Sequence, residues 1–264
     1  MLLGSHVPSA DPLGEAAARR AQVVQVFLSA PRAWRPPAPR ADAEVLRAAG
    51  TPIYVHAPYL INVAAGDDRV RSTSVESLAL TCAAAATIGA AGVVVHGGHL
   101  PVDEPFATGV NAWRTTLSAI DSEDPVLIEN TAGGRNALAH HPAAIAQLWD
   151  GLAGLDVPFG FCLDTCHLHA ATDDDLIAGF DQVLDAVGRI DLVHLNDSRD
   201  VAGSGRDRHA NLGGGEIDPA AMVEVVRRAD APVVVETPGG AAAQRADLDW
   251  LRHRLAPDTG SSTP

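Results

Sequence analysis

The sequence contains no lysine: all 19 basic residues among its 264 are arginine. That absence removes a Schiff-base lysine, a pyridoxal phosphate anchor and a phosphate-loop lysine. Positive charge is scarce altogether. Against 33 acidic residues it leaves a formal charge of -14, which argues against broad, non-specific coating of nucleic acid. A nucleic-acid enzyme whose site holds cations stays possible, because metal ions invert the local charge. Only three cysteines occur and none form a Cys-x-x-Cys pair, so they read as buried free thiols in a reducing compartment. No apolar run approaches the roughly 20 residues needed to cross a bilayer. The start, MLLGSHVPSA, lacks the basic flank and long apolar run of a secretory signal. The expectation is a soluble, cytoplasmic protein.

What is present is a rhythm. Short β-branched or apolar runs alternate with alanine-rich segments of helical period. The strand candidates are LLGSHV (2–7), VVQVFLS (23–29), PIYVHAP (52–58), GVVVHGG (92–98), PVLIENT (125–131), FGFCLDT (159–165), DLVHLND (191–197) and PVVVETP (232–238). Between them lie helical stretches such as 11–21, 70–90, 142–152, 175–187 and 218–229. The strand runs are nearly continuous in apolar character, as in a parallel sheet buried on both faces. Eight such units over this length predict an α/β fold, a single-domain (β/α)8 TIM barrel over 1–255 with a polar tail at 256–264. A doubly wound open sheet is the structural alternative.

Six of the eight runs end, at the carboxyl side, in a potential metal ligand: His56, His96, Glu129, Asp164, His194 and Glu236. A barrel builds its active site at that end, so these residues from distant strands are expected to converge. Each alone has a plainer reading. A histidine after a strand is often a hydrogen-bonded loop residue, and Asp164 is placed to cap the following helix. The joint pattern is harder to set aside. His167 follows Asp164 by three residues, and the loop SRDVAGSGRDRHANLGGG adds Asp207 and His209. Nine ligands exceed what one ion uses. Imidazole and carboxylate without thiolate suit zinc or manganese, and clustered divalent ions suggest hydrolytic phosphoryl chemistry.

The runs GSHV, VHAPYLIN, VVHGGHL, IENTAGG, CLDTCH, VHLND, GSGRDRHANLG and VVETP resemble the endonuclease IV family of apurinic/apyrimidinic endonucleases, in order from about residue 3 to 251. The resemblance implies a barrel holding three divalent ions, usually zinc, that acts on double-stranded DNA carrying abasic or 3′-blocked lesions. It implies cleavage on the 5′ side of an abasic site, leaving a 3′-hydroxyl and a 5′-deoxyribose phosphate, with removal of 3′-blocking groups. Position by position, His56 and His96 match ligands of a first ion, and Glu129 the carboxylate bridging it to a second. Asp164, His194 and Glu236 match the rest of the second ion's set, and His167, Asp207 and His209 the third's. The implied catalytic residues are Glu129 and Glu236, the latter helping to orient the attacking hydroxide. Arg32, Tyr59 and Leu60 match the family's DNA-handling loops, and the few arginines Arg206 and Arg208 are expected to contact DNA as well. Trp34 is expected to pack against RPPAPR, and His6 matches a family histidine near the site. The family is usually monomeric.

The sequence departs from the family in two places. VHGGHL is one residue tighter than the HPGSH pattern, which predicts a different position for His99 while His96 keeps its place after the strand. The segment 131–141 is short, and His140, His141 and His169 are expected at the surface. The competing function is a sugar isomerase or epimerase of the xylose-isomerase-like group, which resembles this chain in the quartet Glu129, Asp164, His194 and Glu236. The discriminators are His56, His96 and the His167/Asp207/His209 set, which an isomerase does not need.

Overall fold

The computed structural model describes residues 1–134, 136–173 and 175–256. Eight parallel strands close into a barrel: β1 (Leu3–His6), β2 (Val24–Val26), β3 (Ile53–His56), β4 (Gly92–His96), β5 (Val126–Glu129), β6 (Phe159–Asp164), β7 (Leu192–His194) and β10 (Val233–Val235). β10 pairs with both β1 and β7, which completes the ring. The predicted TIM barrel is the observed fold. Outside it, β8 (Asp197–Ser198) and β9 (His209–Ala210) form a small antiparallel ribbon within the long loop after β7.

The helices are α1 (Pro12–Arg19), α2 (Ala43–Ala48), α3 (Asp68–Thr87), α4 (Phe106–Ala119), α5 (Pro142–Leu152), α6 (Thr165–Ala171), α7 (Leu176–Val187), α8 (Pro219–Ala229) and α9 (Gly240–Leu255). Their starts are written in the sequence. Asp11 and Asp218 accept from the first-turn amides of α1 and α8, each just before a proline whose missing N–H costs nothing there. Asp67 caps α3 in the same way. Of the expected tail, 257–264 lies outside the described residues.

Period-two alternation divides the strand side chains between two separate apolar clusters. Val24, Val26, Ile53, Val55, Val93, Val95, Ile128, Phe161, Leu163 and Val193 pack outward with the helices, where Trp113 and Phe180 are fully buried. Val23, Tyr54, Val94, Leu127, Cys162, Leu192 and Val234 fill the lumen. Two residues on from each lumen residue, hence on the same face, stand Gln25, His56, His96, Glu129, Asp164, His194 and Glu236. With His6 on β1, all eight strands present a polar side chain at the barrel's carboxyl mouth. Strand pairing stops within one residue of these positions, earlier than the apolar runs suggested. β2, β7 and β10 each keep only three residues; at β2, Phe27 leaves the sheet to lay its ring beside His6, His56 and Tyr59.

Among the described residues no helix is long and apolar enough to cross a membrane. All three cysteines are free and buried, as expected.

Two glycines give opposite tests of this packing. A β-carbon on Gly4 would lie 1.6 Å from the Val23 carbonyl oxygen, a backbone atom that cannot yield locally. A β-carbon on Gly179, inside α7, would meet Leu168 at an ordinary 3.4 Å. Gly4→Ala is expected to cost about 3 kcal/mol by overpacking, and Gly179→Ala to gain about 0.5–1 kcal/mol from the lower helix cost of alanine. Denaturant titration of both variants measures the two signs.

Candidate metal centre and active site

Glu129 sits at the centre of the mouth with no exposure. Its Oε2 faces His56 Nε2 at 3.1 Å and His96 Nε2 at 3.3 Å; its Oε1 faces His194 Nδ1 at 3.0 Å and His167 Nδ1 at 3.5 Å. The β4–β5 register places His96 directly beside Glu129, and the β6–β7 register places Asp164 beside His194. Glu236, just past β10, brings Oε2 to 3.5 Å from His194 Nδ1.

Asp164 divides its two oxygens. Oδ1 accepts from the His167 amide at 2.7 Å and so caps α6, while Oδ2 lies 3.6 Å from His209 Nε2. The capping role and the ligand role therefore coexist in one carboxylate. Asp207 bridges the remaining histidines, with Oδ2 3.3 Å from His167 Nε2 and Oδ1 3.0 Å from His209 Nε2.

Three residues outside the sequence-derived set fix these groups. The Asn130 side chain accepts from the Asp164 amide and donates to its carbonyl. Asn196 donates to Asp164 Oδ2 at 2.7 Å and accepts from the Glu236 amide at 2.8 Å. Gln25 donates to Glu236 Oε1 at 2.6 Å and faces His194 Nε2 with its oxygen at 2.9 Å. His6 Nδ1 lies 3.0 Å from the Gln25 amide nitrogen and 3.2 Å from Glu236 Oε1, so its part is to support Glu236.

The loop bearing Asp207 and His209 is held by a fourth such residue. Asp197, fully buried, accepts from the amides of Ser198, Gly213, Gly215 and Ile217. A β-carbon on Gly215 would fall 2.2 Å from the Ser198 carbonyl oxygen, which explains glycine there. Arg206 and Arg208, on either side of Asp207, both pair with Asp200.

Among the described residues, all nine expected ligands fall into groups whose donor atoms lie within 4.8 Å of one another: His56/His96/Glu129, Glu129/Asp164/His194/Glu236, Asp164/His167/His209 and Cys166/Asp207/His209. Asp164 thus reaches the third set as well as the second, and Cys166 adds a thiol beside it. Burial and the neighbouring Asp164 push that thiol up, so it stays protonated. The donors suit divalent ions. Bond lengths near 2.1 Å in a tetrahedral site put neighbouring donors about 3.4 Å apart, close to the 3.0–3.6 Å found here between imidazole and carboxylate atoms. His209 Nε2 is buried without a well-formed hydrogen bond, facing carboxylate oxygens of Asp164 and Asp207.

The electrostatics say the same. Burial opposes charge on His167 and His209, yet the carboxylates around them win, Asp164 foremost for His167 and Asp207 for His209. His167 is pushed up to about 10 and His209 to about 9. Burial would raise Glu129, but His194 and His96 hold it well below the usual carboxylate range; His194 and His6 do the same for Glu236. The acids demand cations.

The rim agrees in part with expectation. Tyr59 is 45% exposed, stacks on His96 and meets His56 edge-on; Leu60 lines the same cleft of about 520 Å³ with His99, Thr131 and Gly133. Arg32 is exposed on the β2–α2 loop, which the Tyr59 amide ties down through the Pro31 carbonyl. Trp34 lies by Pro36 of the proline run, beside Leu80 of α3. The tight VHGGHL turn leaves His99 exposed, with Asn62 gripping its amide and carbonyl. One expectation is corrected: His169 is buried, not at the surface, because α6 packs under the ribbon and its Nε2 meets the Asp200 carbonyl at 3.1 Å. His140 is half-buried against the Thr131 carbonyl, and only His141, which caps α5, is exposed.

A model of the xylose isomerase-like TIM barrel family matches residues 15–254. Proteins named "Probable endonuclease 4" from Mycobacterium ulcerans and Mycobacterium tuberculosis are 52% and 53% identical, over 97% and 96% of this chain and 99% of each relative. The chain belongs to the endonuclease IV family. These are metal-dependent apurinic/apyrimidinic endonucleases, as the sequence motifs indicated. The crystal structure of endonuclease IV from Thermus thermophilus superposes with a TM-score of 0.84 at 33% identity, covering 97% of this chain and 99% of that one. A D-tagatose 3-epimerase-like protein also superposes, with a TM-score of 0.77 over 97% and 100% of the chains, but at 20% identity that likeness is one of fold alone. The fold is thus common to both functional readings, and the relatives decide between them.

Because His167 and His209 hold protons up to about 10 and about 9 in the metal-free protein, metal binding must displace them. Loading zinc at pH 7 is expected to release on the order of two protons from this pair, and the release should vanish above about pH 10. Metal affinity should therefore climb with pH over that window. Calorimetry in buffers of different ionisation enthalpy reads the count; no release at pH 7 contradicts the electrostatics.

Proposed function

We propose that this enzyme hydrolyses the phosphodiester on the 5′ side of abasic sites in double-stranded DNA, leaving a 3′-hydroxyl and a 5′-deoxyribose phosphate, and that it also removes 3′-blocking groups. The observation that carries the reading is the gathering of nine ligand side chains from six strands, α6 and the β7–α8 loop into one contiguous cluster. In this reading three divalent ions, zinc foremost and manganese as a substitute, take up the cluster. His56, His96 and Glu129 hold the first; Glu129, Asp164, His194 and Glu236 the second; His167, Asp207 and His209 the third. Such ions polarise phosphate oxygens and bring water within reach of deprotonation at neutral pH.

The chain's own groups do the rest. Glu236, ionised and steadied at Oε1 by Gln25, orients the attacking water. Tyr59 keeps its proton, since burial and the carboxylates nearby raise its phenol, and it stands at the rim as a donor and a flat contact surface. Tyr59, Leu60 and Arg32 enter the duplex at the lesion, where a missing base leaves less stacking to break. Arg206 and Arg208 meet the DNA backbone. With -14 overall, affinity depends on these few arginines and on the cations, so binding concentrates on damage. Without lysine, cleavage through a Schiff base has no side-chain amine to use. The reading takes the enzyme as a monomer.

A duplex carrying one tetrahydrofuran abasic analogue, which cannot undergo β-elimination, should be nicked on its 5′ side with zinc or manganese present. The new end should prime a polymerase without further processing. An intact duplex under those conditions refutes the proposal. Glu129→Gln should lower the cleavage rate by more than about 100-fold, beyond the loss usual for an outer partner of a ligand. Its affinity for the damaged duplex, measured by anisotropy, should stay within about tenfold.

A further inference from the structure

Gln25 is the lone polar residue of VVQVF, fully buried, on a strand that contributes no metal ligand. From β2 it reaches across the lumen to β7 and β10, which are not its neighbours in the sheet. Its amide nitrogen is 2.6 Å from Glu236 Oε1 and its oxygen 2.9 Å from His194 Nε2. Chemistry fixes that orientation. The ionised carboxylate can only accept, so the nitrogen must face it; the reverse would set two acceptors against each other. His6 Nδ1 lies 3.0 Å from the same nitrogen, on the Glu236 side of the amide. The oxygen facing His194 then requires Nε2 to carry that ring's hydrogen.

The consequence is specific to this histidine. His56 and His167 each give Nδ1 to a backbone carbonyl, of Ala57 and Asn130, and turn Nε2 to the carboxylates. His194 is reversed: Nδ1 is the atom 3.0 Å from Glu129 Oε1 and 3.5 Å from Glu236 Oε2. We propose that Gln25 is a positioning residue for the second ion. It sets the His194 tautomer so that Nδ1 is the donor, and it occupies Glu236 Oε1 so that Oε2 is the donor. One amide thereby aims two ligands. The inference rests on the metal-centre reading given above.

The test is zinc affinity, by competition with a chromophoric chelator, together with the nitrogen NMR signals of His194 in the zinc-loaded protein. Gln25→Met keeps the volume and removes both hydrogen bonds; Gln25→Glu keeps the acceptor and removes the donor. In Gln25→Met, one zinc equivalent should weaken about 10–100-fold, the others should hold, and the His194 signals should show mixed tautomers. In Gln25→Glu, the tautomer should persist while affinity still falls. Unchanged competition curves and an unchanged His194 signal in a folded Gln25→Met overturn the proposal. Should that variant fail to fold, parental affinity in Gln25→Glu overturns it instead. None of these readouts uses DNA. A zinc shift in a protein that leaves the abasic duplex intact would refute the nuclease reading and keep Gln25; a parent chain that takes up no zinc overturns both.

Discussion

The structure is organised around one buried charge. Glu129 lies at the centre of a closed barrel, out of contact with water, and ionised. A carboxylate in that position is tolerable only if it is paired and its oxygens are satisfied. The chain meets this need by turning three imidazoles toward it, from β3, β4 and β7, with His167 of α6 close by. Those imidazoles in turn need backbone carbonyls and a glutamine to hold their orientation. Removing the central charge would leave His56 and His96 with no carboxylate to face, so site and barrel mouth are one construction.

Much of this was legible, for a simple reason. Parallel strands alternate sides with period two, so a polar residue two positions beyond a lumen residue must also face the lumen. His56 after Tyr54, Glu129 after Leu127 and Glu236 after Val234 all follow the rule, and ligand chemistry made them visible in the sequence. Gln25 after Val23 follows it equally, but glutamine is no metal ligand, so a reading by ligand type passes over it. Asp197 was hidden differently. Its task is to bind four amides up to 20 residues away, and nothing local in HLND announces partners at that distance. His169 was misplaced because polarity suggests the surface, whereas the ribbon that buries it forms only when Asp197 folds the loop back.

That loop also gathers positive charge at the rim of a strongly acidic protein. Arg206 and Arg208 share the single carboxylate of Asp200. Two guanidinium groups on one acid leave a net positive charge, held in place rather than waving in solvent. The same clamp fixes Asp207 between them, so one arrangement serves both loop rigidity and charge. Exposed ion pairs of this kind stabilise little on their own; their value here is geometric.

The separation of the two apolar clusters has a wider meaning. Outward-facing strand residues pack with the helices, while inward-facing ones pack only with each other. A substitution inside the barrel therefore need not disturb the helical shell, and the shell places few demands on which reaction the interior performs. Descent can rewrite the chemistry of such a protein while its architecture stands still. That is why a shape shared at 20% identity with an epimerase-like protein identifies the vessel and leaves its contents to be read from the lumen.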